Sequence, residues 1–297
     1  MEFGKVEQPD LSEIDFSLPP DAVGTTTLLQ RQKSRISESD IFVGCAKWGR
    51  KDWVGSVYPA GTKEGDFLKL YAQHFNSIEL NATFYRTPSA AQTASWAAQV
   101  GNGFKFSPKV SNKISHIKRL KDVKEQTAWF LKGISGFREN LGPVFLMPHP
   151  GMGPKSLETL EAFIESLPND IELFVELRHP QWYSELESFD KVFSMLERHN
   201  VGSIITDAAG RRDCVHMRLT TPVAFVRFVG NDLHPTDYTR VDAWIQRIKT
   251  WMESGLQKLY FFMHQTEEIH SPTLCKYAIQ QLNRNCGTKL HEPVFVE

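Results

Sequence analysis

The chain has 297 residues, 41% of them hydrophobic, a formal net charge of -1 and a pI near 6.8. That length and composition bury one large core, and the balanced charge excludes an overall cationic field for nucleic acid or an anionic membrane, although a local basic patch remains allowed. Apolar runs fall well short of the roughly 18 residues that span a bilayer, and the opening MEFGKVEQPDLSEIDF lacks the basic and apolar regions of a signal peptide. Cys45, Cys214, Cys275 and Cys286 show no CxxC spacing, so reduced thiols of a cytoplasmic protein are expected.

In chain order, residues 1–38 are polar, contain Pro19-Pro20 and carry no period. We read them as an extension lying over the remainder, with one short helix around Thr26 to Lys33, and with Phe3, Ile14, Phe16 and Leu18 packed down. Residues 39–290 read as one domain and 291–297 as a tail. Within the domain, short apolar runs recur as IFVGC (41–45), SIEL (77–80), FKFS (104–107), PVFLM (143–147), IELFVE (171–176), GSIIT (202–206), VAFVRF (223–228) and KLYFFM (258–263).

Helices are predicted between these runs over 66–75, 88–99, 120–134, 156–166, 185–199, 236–254 and 272–284. Thr87-Pro88, a capping box of Ser184 with Glu187, and Ser271-Pro272 mark three helix starts. Only 207–222, with Gly210, two arginines and Pro222, lacks room for more than one helical turn. Strands alternating with helices imply a parallel sheet, and eight repeats are the number that closes a (β/α)8 TIM barrel. The expected fold is therefore α/β, a (β/α)8 TIM barrel with a shortened or missing helix between strands six and seven and an N-terminal extension.

A barrel places its chemistry at the C-terminal ends of its strands. Strand side chains alternate between faces, so Ile78 and Leu80 on the helices would turn Glu79, Asn81 and Thr83 inward. Phe104 and Phe106 outward would leave Lys105, Ser107 and Lys109 inward; Leu173, Val175 and Leu177 outward would leave Glu176 and Arg178 inward. By the same reasoning Asp207, Arg227 and His264 close strands six, seven and eight. An unpaired charge beside an apolar strand costs several kcal/mol, so these charges are expected to pair at the mouth: Glu79, Glu176 and Asp207 against Lys109, Arg178 and Arg227.

Paired carboxylates such as Glu79 and Glu176, with Asp207, suit general acid and base work, which leaves a glycosidase reading open. His149, His179, His216, His264 and His270 could join the carboxylates around a divalent metal, but there is no HExxH and the nearby cations oppose an ion. No cofactor is predicted. The loop MPHPGMGPKS (147–156) lacks the ending of a P-loop and reads as a turn, and no GxSxG supports acyl transfer. Trp48, Trp53, Phe84, Tyr85, Trp182 and Tyr183 follow strand ends and would suit stacking on a flat ring, sugar or base.

The runs FVGCAKWGRKDWVGSVYP (42–59), FNSIELNATFYRTPS (75–89), FKFSPKVSNKISH (104–116), LGPVFLMPHP (141–150), VELRHPQW (175–182) and FVRFVG (225–230) resemble the YecE-like family, one of the domain-of-unknown-function families of TIM barrels. The resemblance covers about residues 40 to 285. It implies a pocket built from Trp48, Glu79, Asn81, Thr83, Phe84, Tyr85, Lys109, His116, Glu176, Arg178, His179, Trp182, Asp207 and Arg227, to which strand parity adds His264. The chain departs from the family pattern at Met147, where glutamine is usual, at Val229, where histidine is common, and in FFMHQTEEIHSP (261–272), which replaces an asparagine-containing segment. No activity comes with the resemblance.

The expected function is the binding or conversion of a small anionic ligand held by Arg178, Lys109 and Arg227, by hydrolase- or lyase-type chemistry if the protein is an enzyme. A metal-dependent phosphodiesterase or nuclease similar to DNA-repair barrels is one alternative, and a non-catalytic binding module another. Nucleic acid is a partner that the net charge does not support, and no membrane is expected.

Overall fold

A computed structural model describes residues 3–32 and 39–296. Its strands are β1 (Asp40–Cys45), β2 (Ser77–Leu80), β3 (Lys105–Pro108), β4 (Val144–Leu146), β5 (Leu173–Val175), β6 (Gly202–Asp207), β7 (Val223–Val229) and β8 (Lys258–His264). Its helices are α1 (Val23–Gln32), α2 (Phe67–His74), α3 (Ala82–Tyr85), α4 (Ala90–Ala97), α5 (Lys124–Ile134), α6 (Leu157–Glu165), α7 (Gln181–Ser184), α8 (Leu186–Arg198), α9 (Pro235–Ser254) and α10 (Ser271–Cys286). Among the described residues no helix is long and apolar enough to cross a membrane.

The fold is α/β. Six parallel strands pair in the order β1-β8-β7-β6-β5-β4, while β2 and β3 form a separate parallel pair. The six-stranded sheet curves into a half-barrel. Phe42 and Phe145, on its two edge strands, pack on one cluster with Phe174, Ile204, Phe225, Tyr260 and Phe262. The alternate residues, among them Val43, Leu146, Val175, Ile205, Val226, Phe261 and Met263, join the second core layer with the helices. Period-2 alternation thus fills both faces, as parallel strands covered by helices require.

The β2–β3 pair is held at both seams by local contacts. Asn76 Nδ2 donates to Ile41 O and its Oδ1 accepts from Val43 N, each at 2.8 Å. Gly44 permits the close approach there, because a Cβ would sit 1.9 Å from Ser77 O. At the other seam Val110 N donates to Phe145 O at 2.9 Å.

Each predicted strand and helix is present, with ends shifted by a few residues. The link after β6 holds only the 3-10 turn Arg212–Cys214, and the N-terminal helix packs into the space this leaves. Thr25 Oγ1 donates to Met217 O and accepts from Leu219 N, at 2.8 and 2.7 Å. Arg31 lies 3.9 Å from Glu197 on α8, and Asp21 accepts from Arg247 and Trp251 on α9 at 2.6 and 3.0 Å. This helix starts at Val23, earlier than expected, and the predicted end at Lys33 lies outside the described residues.

All three marked helix starts differ from expectation: Ser89 rather than Thr87 caps α4, its hydroxyl accepting from Gln92 N at 3.2 Å. Gln181–Ser184 is itself a helical turn, so Ser184 cannot take the extended capping conformation, and Glu187 instead pairs with Lys191. Ser271 gives its hydroxyl to Glu268 at 2.7 Å rather than capping α10.

Candidate functional site

The inward residues of β2, β5, β7 and β8 meet above the aromatic floor. Arg227, fully buried, lies along Glu79, with Nε to Oε2 and Nη2 to Oε1 both at 2.7 Å. Its Nη1 reaches both oxygens of Glu176 at 2.8 Å. Arg178 adds Nε and Nη2 bonds to Glu176 Oε1 at 3.2 and 3.0 Å, and Thr206 Oγ1 donates to the same oxygen at 2.8 Å. Asn81 Nδ2 donates to Glu79 Oε1 at 2.7 Å. His264 lies between two carboxylates, with Nε2 3.1 Å from Glu79 and Nδ1 3.3 Å from Glu268. Arg227 therefore ties β7 to β2, across the gap between the two sheets.

Burial alone would raise the pKa of Glu79, but the charges of Arg227 and His264 outweigh it and hold the carboxyl well below the usual range. For Glu176, burial is likewise overcome by Arg178 and Arg227, and the pKa falls to about 2. Burial disfavours the imidazolium of His264, yet Glu79 and Glu268 raise its pKa above the ordinary value. Both inward glutamates are anions saturated with hydrogen bonds, which makes them an electrostatic frame rather than proton donors.

Among the described residues Glu79, Glu176 and Glu268 are each bonded to Arg178, Arg227 or His264, and none of the three bonds Lys109. Lys109 lies one residue beyond β3 and is 6% exposed. Its Nζ has the Met147 sulfur at 3.5 Å and sits over the Phe84 and Phe145 rings, 4.6 and 5.6 Å from their centroids. Burial, then the repulsion of Arg227, lowers its pKa to about 7. Below it on the same strand face, the fully buried Ser107 hydroxyl has no hydrogen-bond partner among the described residues.

Half-buried groups form the rim. The His116 ring is edge-on to Phe84 at 4.9 Å and 5.4 Å from His149, and its Nδ1 is 2.9 Å from Ser115 Oγ. Burial and the His149 and Lys109 charges lower its pKa to about 4, so it is neutral at pH 7. Arg178 is covered by the Phe3 ring, 3.9 Å from its guanidinium carbon, which places the N-terminal segment over the rim. Tyr85 stands 74% exposed beside Phe84.

Several expected site residues lie elsewhere. Asp207 points to the helix side of β6, where Arg240 (2.8 Å), Trp244 (2.7 Å) and Arg212 hold it. The register pairs Thr206 with Arg227, so Thr206 is the inward residue. Trp48 packs edge-on against Trp96 and Phe106, and Trp182 is buried with its indole donating to Met152 O at 2.9 Å. Thr83 bonds the Lys109 carbonyl at 2.7 Å and so fixes that residue's backbone. His179 accepts from Gln181 N at 3.3 Å beside Gly153.

The histidines considered for metal binding are dispersed. His216 is bound to Ile204 O behind β6, while His264 is held by carboxylates. Among the described residues the one group with metal-ligand spacing is Glu161, Glu165 and His199 on the outer helices, where Arg198 already pairs with Glu161. Thr206, Glu268 and Met147 were not foreseen as site residues. Glu268 alone carried a sequence signal, standing four residues after His264.

The family model described as "Protein of unknown function DUF72" matches residues 42–294. The UPF0759 protein YecE of Escherichia coli K12 is 27% identical over 252 residues, covering 79% of this chain and 89% of that protein. The UPF0759 protein YunF of Bacillus subtilis is 33% identical over 66 residues, 22% of each chain. A crystal structure of a DUF72 family protein from Enterococcus faecalis superposes with a TM-score of 0.65 at 16% identity, covering 86% of this chain and 98% of that one. On the match of the family model across most of its length, the chain belongs to the DUF72 family, whose function is not established.

Proposed function

We propose that the protein binds, and by hydrolase- or lyase-type chemistry converts, a small anionic ligand at the C-terminal strand ends of a (β/α)8 TIM barrel in which the β2–β3 pair closes the half-barrel. The observation that carries the reading is Lys109, a buried amine with no carboxylate bonded to it among the described residues. An arriving anion would supply its counter-charge, with uptake of a proton by Lys109. Arg178 is the second contact, since two of its three nitrogens serve Glu176 and the remaining one is left for a carboxylate or phosphate. The unpaired Ser107 hydroxyl and His116 offer further polar groups. Arg227 is assigned to the frame, because its donors are already taken. The four unpaired cysteines fit a cytoplasmic protein.

Inorganic phosphate, citrate and pyruvate should be titrated while following the melting temperature. At least one should raise it, with proton uptake near pH 7. Arg178→Ala should abolish the shift; an undiminished shift in that variant would overturn the assignment.

A further inference from the structure

We propose that Lys109 is a covalent catalytic residue, whose amine condenses with the carbonyl of a small oxo acid whose carboxylate rests on Arg178. The inference stands on the anion-binding reading above and names its substrate class. A lysine that only had to hold an anion would work best on a polar wall, where its charge is maintained. Lys109 is instead enclosed by the Phe84 and Phe145 rings, whose faces attract its ammonium, and by a thioether, a weak acceptor; together they replace less of its hydration than a polar wall would. Arg227 and Arg178 oppose its protonation, and Glu176 and Glu79, which favour it, are hydrogen-bonded to Arg227 instead. With a pKa of about 7, a large share of the amine is neutral and nucleophilic at pH 7.

The step balances as follows. The Nζ lone pair attacks the carbonyl carbon while the oxygen takes a proton, giving a carbinolamine. Loss of that hydroxyl with a second proton releases one water and leaves a C=N bond. His116, neutral and edge-on to the same Phe84 ring, is placed to relay the proton to the departing oxygen. The iminium can then take the electron pair of a bond broken at the neighbouring carbon, the other fragment leaving as a carbonyl compound as its hydroxyl gives up a proton; protonation of the enamine carbon and addition of one water then free the product and restore the lysine. This is lyase chemistry.

The test is reductive trapping of the full chain with sodium cyanoborohydride at pH 7, read by peptide mass mapping. Limiting formaldehyde, a carbonyl too small to depend on substrate fit, should modify Lys109 roughly tenfold faster than the exposed Lys118 and Lys121. Pyruvate should label Lys109 alone, and Arg178→Met should suppress the pyruvate adduct while sparing the formaldehyde adduct. Met147→Gln, which offers the amine a hydrogen-bond acceptor, should slow both. Formaldehyde labelling of Lys109 that lags the surface lysines, as burial alone dictates, would overturn the inference. If pyruvate stabilises the fold through Arg178 but leaves no adduct on Lys109, the covalent step falls and anion binding survives. Loss of the stabilisation together with the adduct removes both.

Discussion

Two clusters of buried charge flank β6, one on each face, and they differ in what completes them. On the concave side Glu79, Glu176, Arg227 and Arg178 close on one another and leave Lys109 without a carboxylate partner among the described residues. On the helix side Asp207 is enclosed by Arg240, Arg212 and Trp244, and the Phe16 ring covers Arg240 at 4.8 Å. Both clusters satisfy their carboxylates, and both carboxylate pKa values are held down despite burial. Burial of charge therefore does not by itself mark a site; the proposed reading rests on Lys109, the buried cationic group with no carboxylate against it among the described residues.

The largest expected effect comes from breaking the concave frame. Arg227→Ala leaves Glu79 and Glu176 buried without their cation and should cost about 3–5 kcal/mol in denaturant unfolding. A loss below about 1 kcal/mol would mean the carboxylates rearrange into water. Asp207→Asn should cost about 1–3 kcal/mol yet leave any anion-induced melting shift intact. If that shift vanished, the two clusters would have to be treated as one.

Lys109→Met should act with the opposite sign. The folded lysine has a pKa of about 7 against an ordinary 10.5, so its protonation opposes folding fully below pH 7. That penalty fades as the pH rises from 7 towards 10.5. The variant should be more stable than the parent by about 1–3 kcal/mol at pH 6, with the advantage gone near pH 10. A constant difference across this range would show that Lys109 is already paired. Smallest of all, Phe3→Ala should lower stability by under about 1 kcal/mol and speed the trapping of Lys109; unchanged kinetics would remove the N-terminal segment from the site.

The inward assignment of Glu79 was legible because SIEL alternates, and that of Glu176, Arg227 and His264 because each is a charged or polar residue within or at the end of an otherwise apolar run. GSIITD does not alternate, since Ile204 and Ile205 are both buried, and one residue of parity separates Thr206 from Asp207. Trp48 and Trp182 looked like rim aromatics because they follow strand ends, but local sequence carries no information about which neighbouring helix a ring will meet. Met147 stood out as a departure from the family pattern, but a thioether beside an amine becomes meaningful only once the two are adjacent.

Sequence alone determined the strands, the helices and the stunted link after β6, because periodicity and turn chemistry are local properties, and its motifs carried the family resemblance. Tertiary structure decided that strands pair as six and two, that α1 packs where a sixth helix is absent, and that no carboxylate bonds Lys109 among the described residues. Those outcomes depend on distances between residues far apart in the chain, and above all on which opposite charges reach each other first.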